Sequence, residues 1–173
     1  MMESVYYDKK TGIHKGEFRL QKLKYLLGEK RKTTLYKENN VRLKLNPEKV
    51  YFSVRLSTER KRIYELVKPG ESILVMFSGS GVYPIVISKN TKAKEIYGIE
   101  INPYAHKIAL ENLELNKIKN VKLFKGDVKK VVPKLKRKFD RILMPLPKDA
   151  ENFLENAFVA AKKGTIIHFY DFA

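Results

Sequence analysis

Four short stretches of this chain carry residue types that could do chemistry together. The first is Ser78-Gly79-Ser80-Gly81, which directly follows the apolar run Ser72 to Phe77. Glycines there let backbone approach a ligand where a Cβ would stand in the way. The second is Glu100, at the end of another apolar run, Glu95 to Ile101. It falls about 20 residues on, the interval that a nucleotide-type cofactor site expects. A carboxylate is an acceptor only, so it can take hydrogen bonds from both hydroxyls of a ribose. The third is Gly126-Asp127-Val128. Asp127 could accept from the amino group of an adenine while Ile101 and Val128 close on the two faces of the ring. It would serve equally well as the N-cap of a helix over Lys129 to Leu135, and the spacing leaves both roles open. The fourth is Pro145-Leu146-Pro147. Two prolines just past an apolar run make a rigid wall. Amino-methylating enzymes often carry an Asn or Asp at the place of Pro145, whose oxygen accepts from the target amine, and proline has no such acceptor.

The glycine pattern argues against a dinucleotide. That fingerprint wants Gly-x-Gly-x-x-Gly, with the third glycine for close helix packing beside a pyrophosphate. Pro84 stands at the third position. A cofactor with one nucleoside and no pyrophosphate fits better, which points to S-adenosylmethionine. The plain alternative is a strand-to-helix turn whose glycines serve geometry alone, and the position of Glu100 weighs against it. With Pro145 unable to accept a proton, a base must come from elsewhere. The candidates are Arg55 and Glu59, four residues apart and on one face if the helix extends back to Arg55. A carboxylate and a guanidinium together can deprotonate a ring nitrogen and stabilise the oxygen that becomes negative beside it. From spacing alone, a surface ion pair worth under ~1 kcal/mol is the simpler reading.

The elements that must hold these residues alternate. A helix is expected over Ser57 to Val67, capped by Ser57 or Thr58 and stopped by Pro69-Gly70. Strand Ser72–Phe77, a helix from Tyr83 to Asn90, strand Glu95–Ile101 and a helix from Pro103 to Asn116 follow. Strand Val121–Lys125, the short helix over Lys129–Leu135, strand Arg141–Met144, a helix from Ala150 to Ala161 stopped at Gly164, and strand Thr165–Tyr170 complete the series. Strands spaced by helices predict right-handed βαβ units and a parallel sheet. In that topology Phe77 to Gly81, Glu100 and Asp127 face one crevice. Residues 1–50 read differently, as a small, basic, polar subdomain. A helix is expected from Glu17 to Leu27 with Gly28 as its stop, then strands over Lys32–Lys37 and Val41–Leu45 joined by Glu38-Asn39-Asn40.

At 173 residues the chain has room for one sizeable core and a small appendage. It carries 36 Lys and Arg against 19 Asp and Glu, a formal charge of +17. A thermophile-like surface would balance its charges. This imbalance implies a polyanionic partner, RNA or DNA, gripped by the clusters Lys22 to Lys32 and Lys129 to Lys138. An anionic membrane is disfavoured, because no basic amphipathic helix stands out. There is no cysteine, which excludes disulfides and Cys-based zinc sites. His14, His106 and His168 show no ligand spacing, so no metal is expected. No signal peptide or transmembrane run is visible, and the chain reads as cytoplasmic.

Several runs together resemble the archaeal and eukaryal tRNA (guanosine-37, N1) methyltransferases. They are Val50-Tyr51-Phe52-Ser53, Arg55-Leu56-Ser57-Thr58-Glu59-Arg60, Ile101-Asn102-Pro103-Tyr104-Ala105 and Asp140-Arg141-Ile142-Leu143-Met144-Pro145-Leu146-Pro147. The resemblance runs from about residue 12 to the end, and its specific part is the Arg-Leu-x-x-Glu-Arg element. It implies an α/β fold, a Rossmann-like class I methyltransferase sheet over 51–173, with a small N-terminal α+β subdomain. It implies transfer of a methyl group from S-adenosylmethionine to N1 of a tRNA guanosine, on a base splayed from the anticodon stack. Glu59 would be the general base, Arg55 would sit by the guanine oxygen, and Arg60 would support cofactor or base. Tyr51 would line the cofactor pocket with Phe77, Gly79, Gly81, Glu100, Ile101, Asp127 and Val128.

Three departures from that family qualify the expectation. Pro145 stands where the monofunctional enzymes have asparagine, as in an archaeal branch that also methylates the tricyclic wyosine precursor at carbon. The domain that inspects the tRNA elbow is not recognised. The sheet stops a strand pair short, which leaves an edge for another chain unless this is a fragment or a natural short form. A related branch transfers the aminocarboxypropyl group of the same cofactor, and the Arg55–Glu59 element favours methyl transfer instead. A methyltransferase for another substrate and a non-catalytic RNA-binding module are the alternatives.

Overall fold

Short apolar runs bounded by glycine, proline and asparagine become the strands of this chain. The computed structural model describes residues 6–15, 20–146 and 149–170. Two antiparallel hairpins come first. β1 (Tyr6–Lys15) pairs with β2 (Leu20–Gly28), and β3 (Thr34–Glu38) pairs with β4 (Val41–Leu45). A 3-10 turn over Val54–Leu56 then leads into α1 (Ser57–Glu65). The rest alternates: β5 (Ser72–Val75), α2 (Val82–Asn90), β6 (Glu95–Glu100), α3 (Pro103–Leu115), β7 (Val121–Lys125), α4 (Val128–Leu135), β8 (Phe139–Met144), a 3-10 turn over Ala150–Phe153, α5 (Leu154–Ala160) and β9 (Ala161–Phe169). β5 to β9 form one parallel sheet in the order β7-β6-β5-β8-β9. The order reverses at β5, so its carboxyl end opens a crevice between diverging connections.

Both faces of the sheet are covered. Leu74, Met76, Tyr97, Ile99, Phe139 and Ile142 face Val128 and Val132 of α4 and Ala157 and Ala160 of α5. On the other face Ile73, Val75, Ile96 and Leu143 meet Ile63, Tyr83 and Ile87 of α1 and α2. Burial on two sides explains the unbroken apolar character of β5, all four residues of which are buried.

The hairpin β3–β4 turns at Asn39 and Asn40, both at positive φ (41° and 63°), the geometry that asparagine tolerates in two-residue hairpin loops. Val41, Leu43 and Leu45 pack against Ile85 and Val86 of α2. The outer edge of β4 is closed by side chains. Asn112 Oδ1 accepts from the Lys44 N–H (2.7 Å) and Asn112 Nδ2 donates to the Lys44 carbonyl (3.1 Å). One helical turn on, Asn116 makes the same pair of bonds to Arg42 (2.9 and 2.6 Å). Two amides, one on α3 and one at its C-cap, thus take the place of a neighbouring strand. Asn112 Nδ2 also donates to the Ser80 carbonyl (3.1 Å), tying the hairpin to the glycine-bearing loop. An Asn112→Asp change keeps the shape but faces two carbonyls with a carboxylate. It is expected to cost about 3 kcal/mol, seen as a lowered urea midpoint; an unchanged midpoint would show the bridge to be dispensable.

Several expectations are corrected. The helix expected from Glu17 to Leu27 is the strand β2 over its described part, and Glu17 itself lies outside the described residues. Leu26 and Leu27 are 52% and 57% exposed, so no buried apolar face rewards a helix there, whereas β1 supplies a full ladder. Neither Ser57 nor Thr58 caps α1. Its N-cap is Leu56, because the preceding 3-10 turn already feeds the chain into the helix. The helix expected over Ala150–Ala161 is a 3-10 turn followed by the shorter α5. Gly164 does not stop it. This glycine lies inside β9 at φ 85°, where the pairing with β8 shifts register, and so makes a bulge rather than a cap. Among the described residues no helix is long and apolar enough to cross a membrane.

Candidate active site

A cavity of about 650 Å³ opens at the carboxyl ends of β5, β6, β7 and β8, within the range of small-molecule and cofactor sites. Its floor is the segment after β5. Phe77 turns at φ 60° and Gly79 at φ 56°, while the Ser78 N–H holds the Ile99 carbonyl at 2.8 Å. Gly81, at φ 81°, is the N-cap of α2. It stands behind the wall rather than on it, with a Cβ built there only 3.0 Å from Ala109 Cβ. Gly81 therefore serves helix packing. A Gly81→Ala change combines strained φ with that contact and is expected to cost about 1–3 kcal/mol. Thermal unfolding checks it; an undiminished Tm would count against the packing role.

Glu100 ends β6 and is buried. Its Oε2 accepts from the Gly79 N–H and its Oε1 from the Asn102 N–H, both at 2.7 Å. Burial pushes its carboxyl above the usual range, and these backbone N–H groups oppose that shift. Asn102 caps α3 through Oδ1 and donates from Nδ2 to the Lys49 carbonyl (3.0 Å), which brings the segment Val50 to Ser53 over the cavity. Asp127 is on the cavity wall and is also the N-cap of α4, its Oδ1 accepting from the Lys129 N–H at 2.8 Å. The two readings of this residue are compatible, since the cap uses one oxygen. Ile101, 41% exposed, and buried Val128 face the same space, as do Tyr51, Phe77 and Pro145. Pro147 lies outside the described residues.

The lining fits a nucleoside with a polar tail. Ser78 Oγ and Ser80 Oγ are buried on the wall with no partner among the described groups. Orphaned hydroxyls of this kind ask for a ligand or a water. Exposed Ile101 and buried Val128, both on the cavity wall, offer apolar surface for a flat ring. Both serines lay inside the motif, where the glycines drew the attention. Phe153, edge-on to Phe77 at 4.8 Å and covered by Lys129 Nζ at 5.0 Å, had no signal in the sequence, because it reaches the wall from the turn beyond β8.

The residues expected to do the chemistry are arranged otherwise than their spacing suggests. Arg60 is on the wall, but its guanidinium is committed. Nε and Nη2 each donate to the Glu38 carboxylate at 2.5 Å, and Nη2 also reaches the Ser53 carbonyl at 3.2 Å. It lies 5.1 Å from the Phe52 ring. Arg60 thus supports the wall from within. Arg55 is exposed in the 3-10 turn, and Glu59 takes Arg62 as its partner instead. Arg62 Nε and Nη2 donate to the two Glu59 oxygens at 2.7 Å, and the Tyr170 hydroxyl donates to Oε1 at 2.7 Å. Those bonds, Arg62 first, hold the Glu59 carboxyl below its usual range against the opposing effect of burial. Glu59 is not itself on the cavity wall, while its neighbours Leu56, Arg60 and Tyr83 are. Among the described residues no group of His, Asp and Glu could hold a metal.

Comparison with known proteins places this arrangement. The family described as the TRM5/TYW2 methyltransferase domain matches residues 34–173. The tRNA (guanine(37)-N(1))-methyltransferase Trm5b of Pyrococcus abyssi is 42% identical over 157 residues, 91% of this chain and 46% of that protein. The tRNA (guanine(37)-N(1))/4-demethylwyosine(37)-methyltransferase Taw22 of Nanoarchaeum equitans is 39% identical over 215 residues, 95% of this chain and 71% of that protein. The solved complex of aTrm5 and tRNALeu superposes with a TM-score of 0.88 at 38% identity, covering 95% of this chain and 47% of that one. Against the first of these relatives and against that complex, the chain spans about half the length of the protein it matches.

Proposed function

We propose, because the chain belongs to the TRM5/TYW2 methyltransferase family, that it transfers a methyl group from S-adenosylmethionine to N1 of guanosine 37 in tRNA. The observation that carries this reading is the joint one of a cofactor-sized cavity lined by Glu100 and Asp127 and the Glu59-Arg60 corner beside it. The family is one of S-adenosylmethionine-dependent enzymes with the class I fold. The cofactor supplies an electrophilic methyl group. On this reading Glu100 takes the ribose hydroxyls, Asp127 Oδ2 an amine, and Ile101 and Val128 the adenine faces; all four line the cavity. The lone pair of guanine N1 is usable only after its proton leaves, so a carboxylate base is needed. Glu59, held ionised by Arg62 and Tyr170, is the group for that proton. Exposed Arg55 is free to meet the guanine oxygen as it turns negative.

The formal charge of +17 fits a tRNA partner through its phosphates. One residue favours a second product. Pro145 on the cavity wall offers no side-chain acceptor, and Taw22 carries both the guanosine and the demethylwyosine activity in its name. The wyosine precursor is therefore a second substrate to test.

The test is label transfer from methyl-tritiated S-adenosylmethionine to an unmodified tRNA transcript with guanosine or adenosine at position 37. Label with guanosine alone is expected. Equal label on both, or none while the cofactor binds, would overturn the reading. A transcript carrying the tricyclic precursor, offered in parallel, decides the second product.

A further inference from the structure

We propose that Tyr170 is a positioning residue for Glu59, fixing the orientation of the carboxylate beside the cavity from the far edge of the sheet; this rests on the reading of Glu59 as the base. Tyr170 directly follows β9, the edge strand. All five strands run parallel, so the end of β9 emerges at the same rim as the strand ends that build the cavity. From there its hydroxyl reaches Glu59 across 111 residues of sequence at 2.7 Å.

The hydroxyl of Tyr170 also meets that of Tyr83. Tyr83 is buried and stands on the cavity wall. Tyr170 therefore stands between a residue of the wall and Glu59.

Of the two groups that hold Glu59, Arg62 does most to keep it ionised. Its side chain is 55% exposed and lies three residues away on the same helix, so it does not tie Glu59 to the rest of the fold. Tyr170 is half-buried and belongs to another element. Oε1 accepts from both Arg62 and Tyr170, while Oε2 accepts from Arg62 alone. A carboxylate oxygen has room for two bonds, so the free lone pair for a substrate proton is on Oε2. The remaining group nearby, His168 of β9, takes no part as a charge. Burial first, and then Arg141, push it down to about 4, and as a neutral ring it accepts from Arg141 Nη1 at 2.7 Å.

The experiment uses the full chain and its Tyr170→Phe variant, with glutamate labelled at the side-chain carboxyl for NMR titration. Loss of the hydroxyl is expected to move the Glu59 titration upward and to lower kcat for methyl transfer about tenfold. The KM for S-adenosylmethionine stays the same. An unmoved Glu59 titration would overturn the proposal, whatever the activity. The Glu59→Gln variant separates the two ideas. If it retains full turnover, the base reading fails, and positioning for catalysis fails with it. If it is inactive while Tyr170→Phe is fully active, the base stands and the positioning role is lost. In the double variant Tyr170→Phe should add no further loss; a multiplied loss would place Tyr170 outside the path through Glu59.

Discussion

Replacing Glu59 by glutamine lowers methyl transfer to guanosine by about 10²-fold or more, the share that a positioned general base contributes. Glutamine matches the carboxylate in shape and keeps an oxygen for Arg62 and Tyr170, but it cannot take the N1 proton. Cofactor affinity is expected to remain, because Glu59 is not on the wall of the cavity that would hold it. Single-turnover rates with saturating S-adenosylmethionine, read beside a cofactor titration, separate the two effects. Normal turnover would remove Glu59 from the chemistry. The pH dependence has a definite sign. The folded-state value of Glu59 is depressed, so the carboxylate is ionised throughout neutral pH, and the acid limb of the rate should lie below the ordinary carboxylate range. Its contribution to stability is likewise full above that ordinary range and is lost as the pH falls through the depressed value.

The second large effect is on stability. An Arg60→Met change is expected to destabilise the fold by about 3–5 kcal/mol, because it leaves the Glu38 carboxylate buried without a counter-charge. The two side chains are 1% and 3% exposed. The double variant Glu38→Met with Arg60→Met should recover much of that loss, since two apolar side chains replace two charges. Chemical denaturation of the three variants measures it. Cofactor affinity measured well below the melting transition should be little changed. If Arg60→Met weakened the cofactor while leaving stability intact, Arg60 would be a ligand and not a support for the wall.

Much of this site follows from local sequence. The run Ser72 to Phe77, then Ser78-Gly79-Ser80-Gly81, can only be a strand that breaks sharply, since consecutive small residues supply the positive φ values at Gly79 and Gly81. Asn102-Pro103 states a helix start by itself, with a side-chain cap and a proline in the first turn. Asn39-Asn40 states a hairpin. Those signals act within a few residues and hold in any fold that accepts them, so the alternating elements, the crevice and the placement of Glu100 and Asp127 were legible. Partner choice was not. Arg60 takes Glu38, Glu59 takes Tyr170, and Arg141 takes Glu71 and His168, all across distant sequence. Spacing suggested Arg55 for Glu59, yet the chain offered many acids and bases at similar intervals. Tertiary packing selected among them: the β3–β4 hairpin carries Glu38 to Arg60, and the sheet order carries the end of β9 to the rim beside α1. The same holds for β2 and for Gly164, where the neighbouring strand decided the conformation because a ladder of backbone bonds outweighs a weak local preference.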